Sequence, residues 1–508
     1  MIASILGSAT AMLLSATVSG PATPPNADQA VPEIRLAVRD TVFANGLRVL
    51  VHEDHSLPMV ACQIFYATGS IHEHAGGTGI AHMLEHMLFK GTRKVGITDS
   101  TADAKFLPQI DAAEELRRAA LAKGDSATAH HAKARMDSLN ALHRAYFVKD
   151  ELWQAYQEVG GTDLNAYTSD LATVYHVTLP SNRLELFLWM ESDRMTRSVM
   201  RDFYAERDVV REERRMRIEN KPQGRYWESL DLLFWGAHPY GNPTIGWPSD
   251  IESYRRSQVE EHYEKFYGPK NAILVLSGDV KAEDAFAMTA RYFAGITKGA
   301  DFPQVVTRDP EPPGQKRLVS IQDNARPVID ILFPVPDIND PQSPAFEIVE
   351  GVLSGASGRL ERLLVDSLRL CTSVSAGHRA QIYASQFGIS ATPVQGADPR
   401  RIEDILWNEI ARLRESPLSP REIQRVKNRL AVARLARLRS RETIAGDLGY
   451  MELFGSWKLL AKYPAKVQLQ TDSTVREAAA KWLRPERATI GWLLPKNHSE
   501  HTRTGVYQ

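Results

Sequence analysis

Residues 76–92 read Gly-Gly-Thr-Gly-Ile-Ala-His-Met-Leu-Glu-His-Met-Leu-Phe-Lys-Gly-Thr, and this run constrains the fold more tightly than any other in the chain. Ile80, Met83, Leu84, Met87 and Leu88 recur with the spacing of a buried helix. On that helix His82 and His86 stand one turn apart, so both imidazoles leave the same face. Glu85 sets a carboxylate beside the pair. Glycines at 76, 77 and 79 permit a sharp turn into the helix, and Gly91 supplies its stop. Two neutral imidazoles on one face are two-thirds of a catalytic zinc site, and a neighbouring carboxylate is the base such a site uses. The competing reading is a buried helix with two hydrogen-bonded core histidines. The order His-x-x-Glu-His reverses the commoner His-Glu-x-x-His.

A four-coordinate catalytic site needs a third protein ligand and leaves one position for water. Downstream, 205–216 (Ala-Glu-Arg-Asp-Val-Val-Arg-Glu-Glu-Arg-Arg-Met) reads as a charged helix. Glu206 and Glu213 are two turns apart and share a face, whereas Glu212 points about 100° away. Composition alone makes this segment a solvated helix with internal ion pairs. Spacing alone leaves both Glu212 and Glu213 open as the ligand.

The whole chain, 508 residues with a formal net charge of -1, has room for roughly two to four domain-sized units. It holds no Lys/Arg-rich tract, so nothing points to nucleic acid or to an anionic membrane surface. Cys62 and Cys371 each lie in an apolar, strand-like run and read as two buried thiols. Ile2 to Val18 is apolar and rich in small residues, and a Pro-rich stretch follows. Residues 1–35 therefore read as a signal peptide and linker, although no Lys or Arg precedes Arg35. The run is too short and interrupted for a stable membrane span, and export to a bacterial periplasm is expected over a disordered cytoplasmic tail.

Residues 36–295 read as one α+β unit and 317–508 as a second, joined by a Pro-rich linker at 296–316. The second unit repeats the plan more loosely, with strands at 317–322 and 328–333 and helices at 343–353, 402–414 and 420–437. Its first helix carries Glu347 and Glu350 but no histidine, so the first unit alone can bind zinc through the pentad. A helical insertion is expected at about 100–155, because 111–157 is rich in Ala, Glu, Lys, Arg and Leu with a break at Gly124-Asp125. His130 and His131 within it read as solvated surface.

Several further segments accompany the pentad: the hairpin signal Asn45-Gly46 with 47–51, the strand 60–66, and Leu164-Asn165-Ala166-Tyr167-Thr168-Ser169. Glu206-Arg207 with Glu213, His238-Pro239-Tyr240-Gly241, Ile245-Gly246 and Ser277-Gly278-Asp279-Val280 complete the set. Together they resemble the pitrilysin and insulin-degrading-enzyme family of inverted-motif zinc peptidases, the inverzincins. By size the chain is most similar to the mitochondrial-processing-peptidase-like subfamily. The resemblance runs from about residue 38 to 490 and is dense to about 295.

That resemblance implies two homologous α+β units. Each would be a mainly antiparallel sheet with helices packed on one face, and together they would form one half of a clam-shell chamber. It makes His82, His86 and Glu213 the ligands of one Zn2+ per chain, Glu85 the general base, and Glu206 the acid that supports a ligand histidine. It places Asn165, Ala166 and Tyr167 on an edge strand that binds the backbone of a peptide substrate. The implied activity is that of a zinc metalloendopeptidase acting on peptides or unfolded segments. The alternatives are a non-catalytic structural or assembly subunit of a peptidase complex, and a different metal-dependent amidohydrolase, for which no second motif exists.

Two departures stand out. The stretch between Gly96 and Leu164 is longer than is usual for the family. In the second unit, Val365 and Thr372 occupy the places where the family has a substrate-anchoring arginine and tyrosine, with Arg359 and Arg369 out of register. The chain thus lacks an anchor, which implies a heterodimer with a homologous subunit that has no zinc motif. A homodimer is the other possibility.

Overall fold

The turn at Asn45-Gly46 forms as its sequence predicts. The Phe43 amide donates to the Leu47 carbonyl at 2.9 Å, and β1 (Val38–Val42) folds back on β2 (Arg48–Glu53). This computed structural model describes residues 36–496, apart from 298, 302 and 303. The leader expected over 1–35 lies outside the described residues, as does part of the expected 296–316 linker.

β3 (Met59–Tyr66), β4 (Thr162–Thr168), β5 (Thr173–Pro180) and β6 (Ala272–Gly278) join the hairpin in a six-stranded sheet. Its order is β1-β2-β6-β3-β5-β4, antiparallel except where β2 lies beside β6. β3 and β6 are buried along nearly their whole length, which is why they read as continuous apolar runs and not as alternating ones.

A second sheet contains β7 (Lys316–Gln322), β8 (Val328–Val335), β9 (Cys371–Arg379), β10 (Ser385–Pro393) and β11 (Thr489–Pro495). Its order is β7-β11-β8-β10-β9, with β7 and β11 as the parallel pair. Strand for strand this repeats β2-β6-β3-β5-β4, and the parallel pair occupies the same place. The duplication that the sequence only suggests is explicit in the topology.

In the first half the helices are α1 (Ile80–Met87), α2 (Thr101–Ala122), α3 (Ser126–Arg144), α4 (Glu151–Glu158) and α5 (Leu184–Arg197). They continue with α6 (Phe203–Arg214), α7 (Pro222–Trp235), α8 (Pro248–Ser253), α9 (Arg256–Phe266) and α10 (Ala282–Phe293). The second half has α11 (Ser343–Leu353), α12 (Pro399–Glu415), α13 (Pro420–Arg437), α14 (Arg441–Leu453), α15 (Leu459–Gln468) and α16 (Asp472–Trp482).

On one face of the first sheet, Val49, Val51, Val60, Cys62 and Ile64 pack with Met83, Leu84 and Met87 of α1 and Phe187 and Leu188 of α5. This is the expected helical layer. The opposite face is also covered, by a helix from the other half. Leu50, Ala61, Phe65, Val174, Ile273 and Val275 pack against Ile444, Ala445 and Leu448 of α14. Contact there is so close that a Cβ on Gly449 would overlap the Phe65 ring. The second sheet shows the reciprocal arrangement. Ile329, Ile331 and Phe333 face α11, α12 and α16, while Val328, Leu332 and Leu493 meet Tyr226, Leu230 and Phe234 of α7. The Tyr226 hydroxyl donates to Asp330 Oδ2 at 2.6 Å, tying α7 to β8.

The insertion is a hairpin of α2 and α3, beginning earlier than composition indicates. It breaks at Lys123–Asp125, where Asp125 Oδ1 accepts the Thr128 amide at 3.0 Å as the cap of α3. His130 and His131 are both exposed. Cys62 and Cys371 are buried and unbonded. No helix among the described residues is long and apolar enough to cross a membrane.

Candidate metal centre

α1 starts abruptly because Gly79 adopts a left-handed conformation, φ 84°, pressed against Ile245 and Gly246, where any Cβ would overlap the Ile245 carbonyl. The amides that open a helix have no partners within it. Here Glu73 accepts two of them, from Gly79 at 2.6 Å and from Ala81 at 2.8 Å. Burial pushes the Glu73 carboxyl up to about 8, against the pull of those amides. Asp250 holds the preceding residue, accepting the Thr78 hydroxyl at 2.6 Å. The histidine-bearing helix is therefore fixed from its first turn.

From α1, His82 and His86 point toward α6. His86 Nε2 lies 3.3 Å from Glu213 Oε2, and His82 Nε2 lies 3.9 Å from Glu213 Oε1. One ligand atom from each of the three residues falls within 4.8 Å of the others, the single such group among the described residues. Ligand atoms about 2.0–2.2 Å from a shared tetrahedral ion stand roughly 3.3–3.6 Å apart. His86 and Glu213 already stand at that spacing and His82 somewhat beyond it, and two imidazoles with a carboxylate are a donor set that suits zinc.

Glu206 lies on the same face of α6 as Glu213, and its Oε1 is 2.8 Å from His86 Nδ1. With Nε2 turned to the ligand cluster, Nδ1 is the donor in that bond. The other Glu206 oxygen meets Lys90 Nζ at 2.5 Å. His82 is only 5% exposed, and its Nδ1 is buried without a hydrogen-bond partner, so one ring is oriented from behind and the other by packing. Glu212 is exposed and pairs with Arg215. Of the two adjacent acids, Glu213 alone faces the histidines.

The electrostatics suit a cation. Burial drags on the His86 proton, but Glu206 and Glu213 outweigh it and push the imidazole up to about 9. Burial also opposes charge on Glu213, yet His86, His82 and Arg217 hold its carboxyl down to about 2. His82, buried and beside His86, is lowered to about 3. Two carboxylates thus hold positive charge on the His86 ring, while burial and the neighbouring His86 keep the His82 ring neutral.

Glu85, 6% exposed, accepts the Thr168 hydroxyl at 2.6 Å, and burial raises its carboxyl above the ordinary range. Thr168 ends β4, the outermost strand of its sheet. Asn165, Ala166 and Tyr167 precede it on that strand. Asn165 is exposed, with Oδ1 accepting the Ala166 amide at 2.9 Å. The Ala166 side chain is buried, and Tyr167 stacks on Tyr450 of α14, so these two offer backbone and not side chain to solvent.

Sequence reasoning missed Glu73, Lys90, Thr168 and Arg217. Arg217 Nη1 reaches Glu213 Oε1 at 2.7 Å from a π-helical turn over Arg215–Glu219 that continues α6. Its signal was the i,i+4 spacing from Glu213. Thr168 lies within the segment 164–169, and Glu73 carries no signal in the sequence.

The family description "Insulinase (Peptidase family M16)" matches residues 48–102, and "Peptidase M16 inactive domain" matches 253–430. The second segment contains α11, where Glu347 and Glu350 stand in place of the histidines. The zinc protease PqqE of Helicobacter pylori is 24% identical over 414 residues, 79% of this chain and 80% of that protein. An uncharacterized zinc protease of Mycobacterium leprae is 25% identical over 50% of this chain, which spans about half (45%) of that protein. Among solved structures, a protease from Helicobacter pylori superposes with a TM-score of 0.76 at 21% identity, covering 91% of this chain and 100% of its own. The periplasmic protease PqqL from Escherichia coli superposes with a TM-score of 0.69 at 17% identity, over 94% of this chain but 49% of its own. These structural likenesses establish the fold. Both halves of the chain thus carry peptidase family M16 domains, the first matching the insulinase description over 48–102 and the second the inactive-domain description over 253–430.

Proposed function

We propose that this chain is a zinc-dependent metalloendopeptidase that hydrolyses peptides or unfolded polypeptide segments. The observation that carries the reading is the convergence of His82, His86 and Glu213, with the Glu85 carboxylate on the same helix beside them. Zinc held by those three residues would supply a Lewis acid that lowers the pKa of a bound water to about 7. Glu85 takes the proton of the attacking water and returns it to the leaving amine. Thr168 orients the Glu85 carboxylate toward that task through its hydroxyl. Glu206 keeps the His86 ring turned by accepting from Nδ1. An extended substrate adds to the free edge of β4, with the backbone of Asn165, Ala166 and Tyr167 as its partner, leading it past Glu85.

The competing reading, a structural or assembly subunit, gives Glu85 no role. A site kept for stability needs no base and fills its fourth position with protein.

A complete chamber requires a second unit of this fold, and the heterodimer with a metal-free homologue is our proposal for it. Two features support this. Arg359 is committed to Glu422, with hydrogen bonds of 2.9 and 2.7 Å, and Thr372 stands exposed where the family anchor is expected. The Escherichia coli structure also has about twice the span matched here. Zinc content and cleavage of a quenched peptide test both ideas. We expect one zinc per chain and a cleavage rate that rises when a metal-free homologue is added. A metal-free protein ends the peptidase reading, and full activity of the chain alone ends the heterodimer.

A further inference from the structure

The inserted hairpin turns three of its acidic residues, Asp103, Asp111 and Glu114, toward the rest of the domain. Glu114 of α2 has 0% exposure and accepts from Arg117 Nε at 2.6 Å, Arg118 Nε at 2.9 Å and Arg207 Nη1 of α6 at 3.2 Å. Asp103, near the start of α2, binds Arg201 in a fork at 2.8 and 2.7 Å, and His143 of α3 approaches it at 3.0 Å. Between these two pairs, the Tyr204 hydroxyl donates to Asp111 at 2.9 Å. A hairpin that only decorated the surface would leave such carboxylates in water, where exposed ion pairs contribute little.

The partners are telling by position. Tyr204 and Arg207 flank Glu206 along the chain, yet by the helical step they lie on the side of α6 away from the histidines. Arg201, 1% exposed, also donates to the carbonyls of Lys90 and Val95 at 3.2 Å and of Thr92 at 2.5 Å. Those carbonyls belong to the segment that leaves α1 just after His86. Arg201, two residues before α6, therefore ties the insertion to the segment that follows α1, and Glu114 ties it to α6 itself through Arg207.

We propose that the α2–α3 hairpin is a brace for the metal centre, with Glu114 and Asp103 as positioning residues that act on Glu206 and Glu213 through Arg207 and Arg201. This rests on the zinc site proposed above. Charged groups buried in pairs resist displacement, because separating them strands a charge without solvent. The network thus fixes the separation of α6 from α1, and with it the opening that three ligand atoms must share. Losing a supporting partner of a ligand typically weakens metal binding by about 10- to 100-fold.

The test uses the full chain with Glu114→Gln, and Val475→Ala as a control in the far core of the second sheet. Zinc affinity is read by competition with a chromogenic chelator, and ligand geometry by the visible spectrum of the Co2+-loaded protein. Glu114→Gln should bind zinc about tenfold more weakly or worse, with shifted Co2+ bands, and Glu114→Asp should recover part of the loss. Val475→Ala should lower the melting temperature and leave both readouts at wild type. If Glu114→Gln does not fold, Asp103→Asn is read in the same way. Wild-type affinity and spectrum in the acid variants, or an equal loss in Val475→Ala, overturns the brace while leaving the metal site intact. A wild-type chain that takes up no zinc overturns the metal site, and the brace with it.

Discussion

Glu85→Gln is expected to keep its zinc and to lose peptide hydrolysis by about 10²- to 10⁴-fold, the usual worth of a positioned general base. Glutamine has the same shape and can still accept the Thr168 hydroxyl that Glu85 accepts at 2.6 Å, so the local packing survives. It cannot take a proton from water. Glu85 also lies outside the group of three converging ligands, so its replacement leaves their donor atoms in place. Burial raises the Glu85 carboxyl toward neutrality, the direction that improves a base working near pH 7. Zinc content by atomic absorption and turnover of a quenched peptide check the outcome together. Wild-type turnover in the variant would remove Glu85 from the mechanism.

Replacement of the third ligand should have the second large effect. Glu213→Ala removes the acid that faces both imidazoles and should weaken zinc binding by more than the roughly 10- to 100-fold expected when a supporting acid such as Glu206 is lost. Glu212→Ala, one residue away, should bind zinc as wild type does, since that side chain faces solvent and Arg215. The same titration carries a pH signature. His86 must be neutral to ligate, and its neighbours hold its proton up to about 9, so below that pH zinc must displace a proton. Apparent affinity in the wild type should therefore fall about tenfold per pH unit as pH drops below 9. In Glu213→Ala one of the two acids holding that proton is gone, and the decline should begin at lower pH. Equal affinities for the 212 and 213 variants would reject the assignment.

Much of this site is written locally. The pentad fixes its own geometry because one turn of helix brings both histidines to one face, and Asn45-Gly46 fixes a hairpin by turn chemistry. The choice between Glu212 and Glu213 is different. A 100° difference in direction has meaning only once another helix defines a facing side, and α1 supplies it. Strand β10 leaves little mark in the sequence, and β9 shows only as the strand-like run at Cys371, because Ser, Gly, Ala and Thr fill much of both, with few branched apolar residues. Their pairing comes from neighbours in the sheet, which propensity does not encode. Glu73 escaped for a related reason: a lone acid in a loop becomes a helix cap only after the chain has turned at Gly76 and Gly79. Arg217 depends on a π-helical turn, which shifts the phase of α6 just beyond its last ligand.

The crossing of α7 and α14 has a consequence for biogenesis. Leu50, Ala61, Phe65 and Val275 are sheltered by Ile444, Ala445 and Leu448, so the first half keeps an apolar face open until α14 has been made. Packing of the first sheet is thus coupled to synthesis of α14, and a product truncated before it is a sticky one. A chain ending before Arg441 should bind a hydrophobic fluorescent dye that the intact protein excludes, and equal dye binding by both would show that the two halves ripen independently.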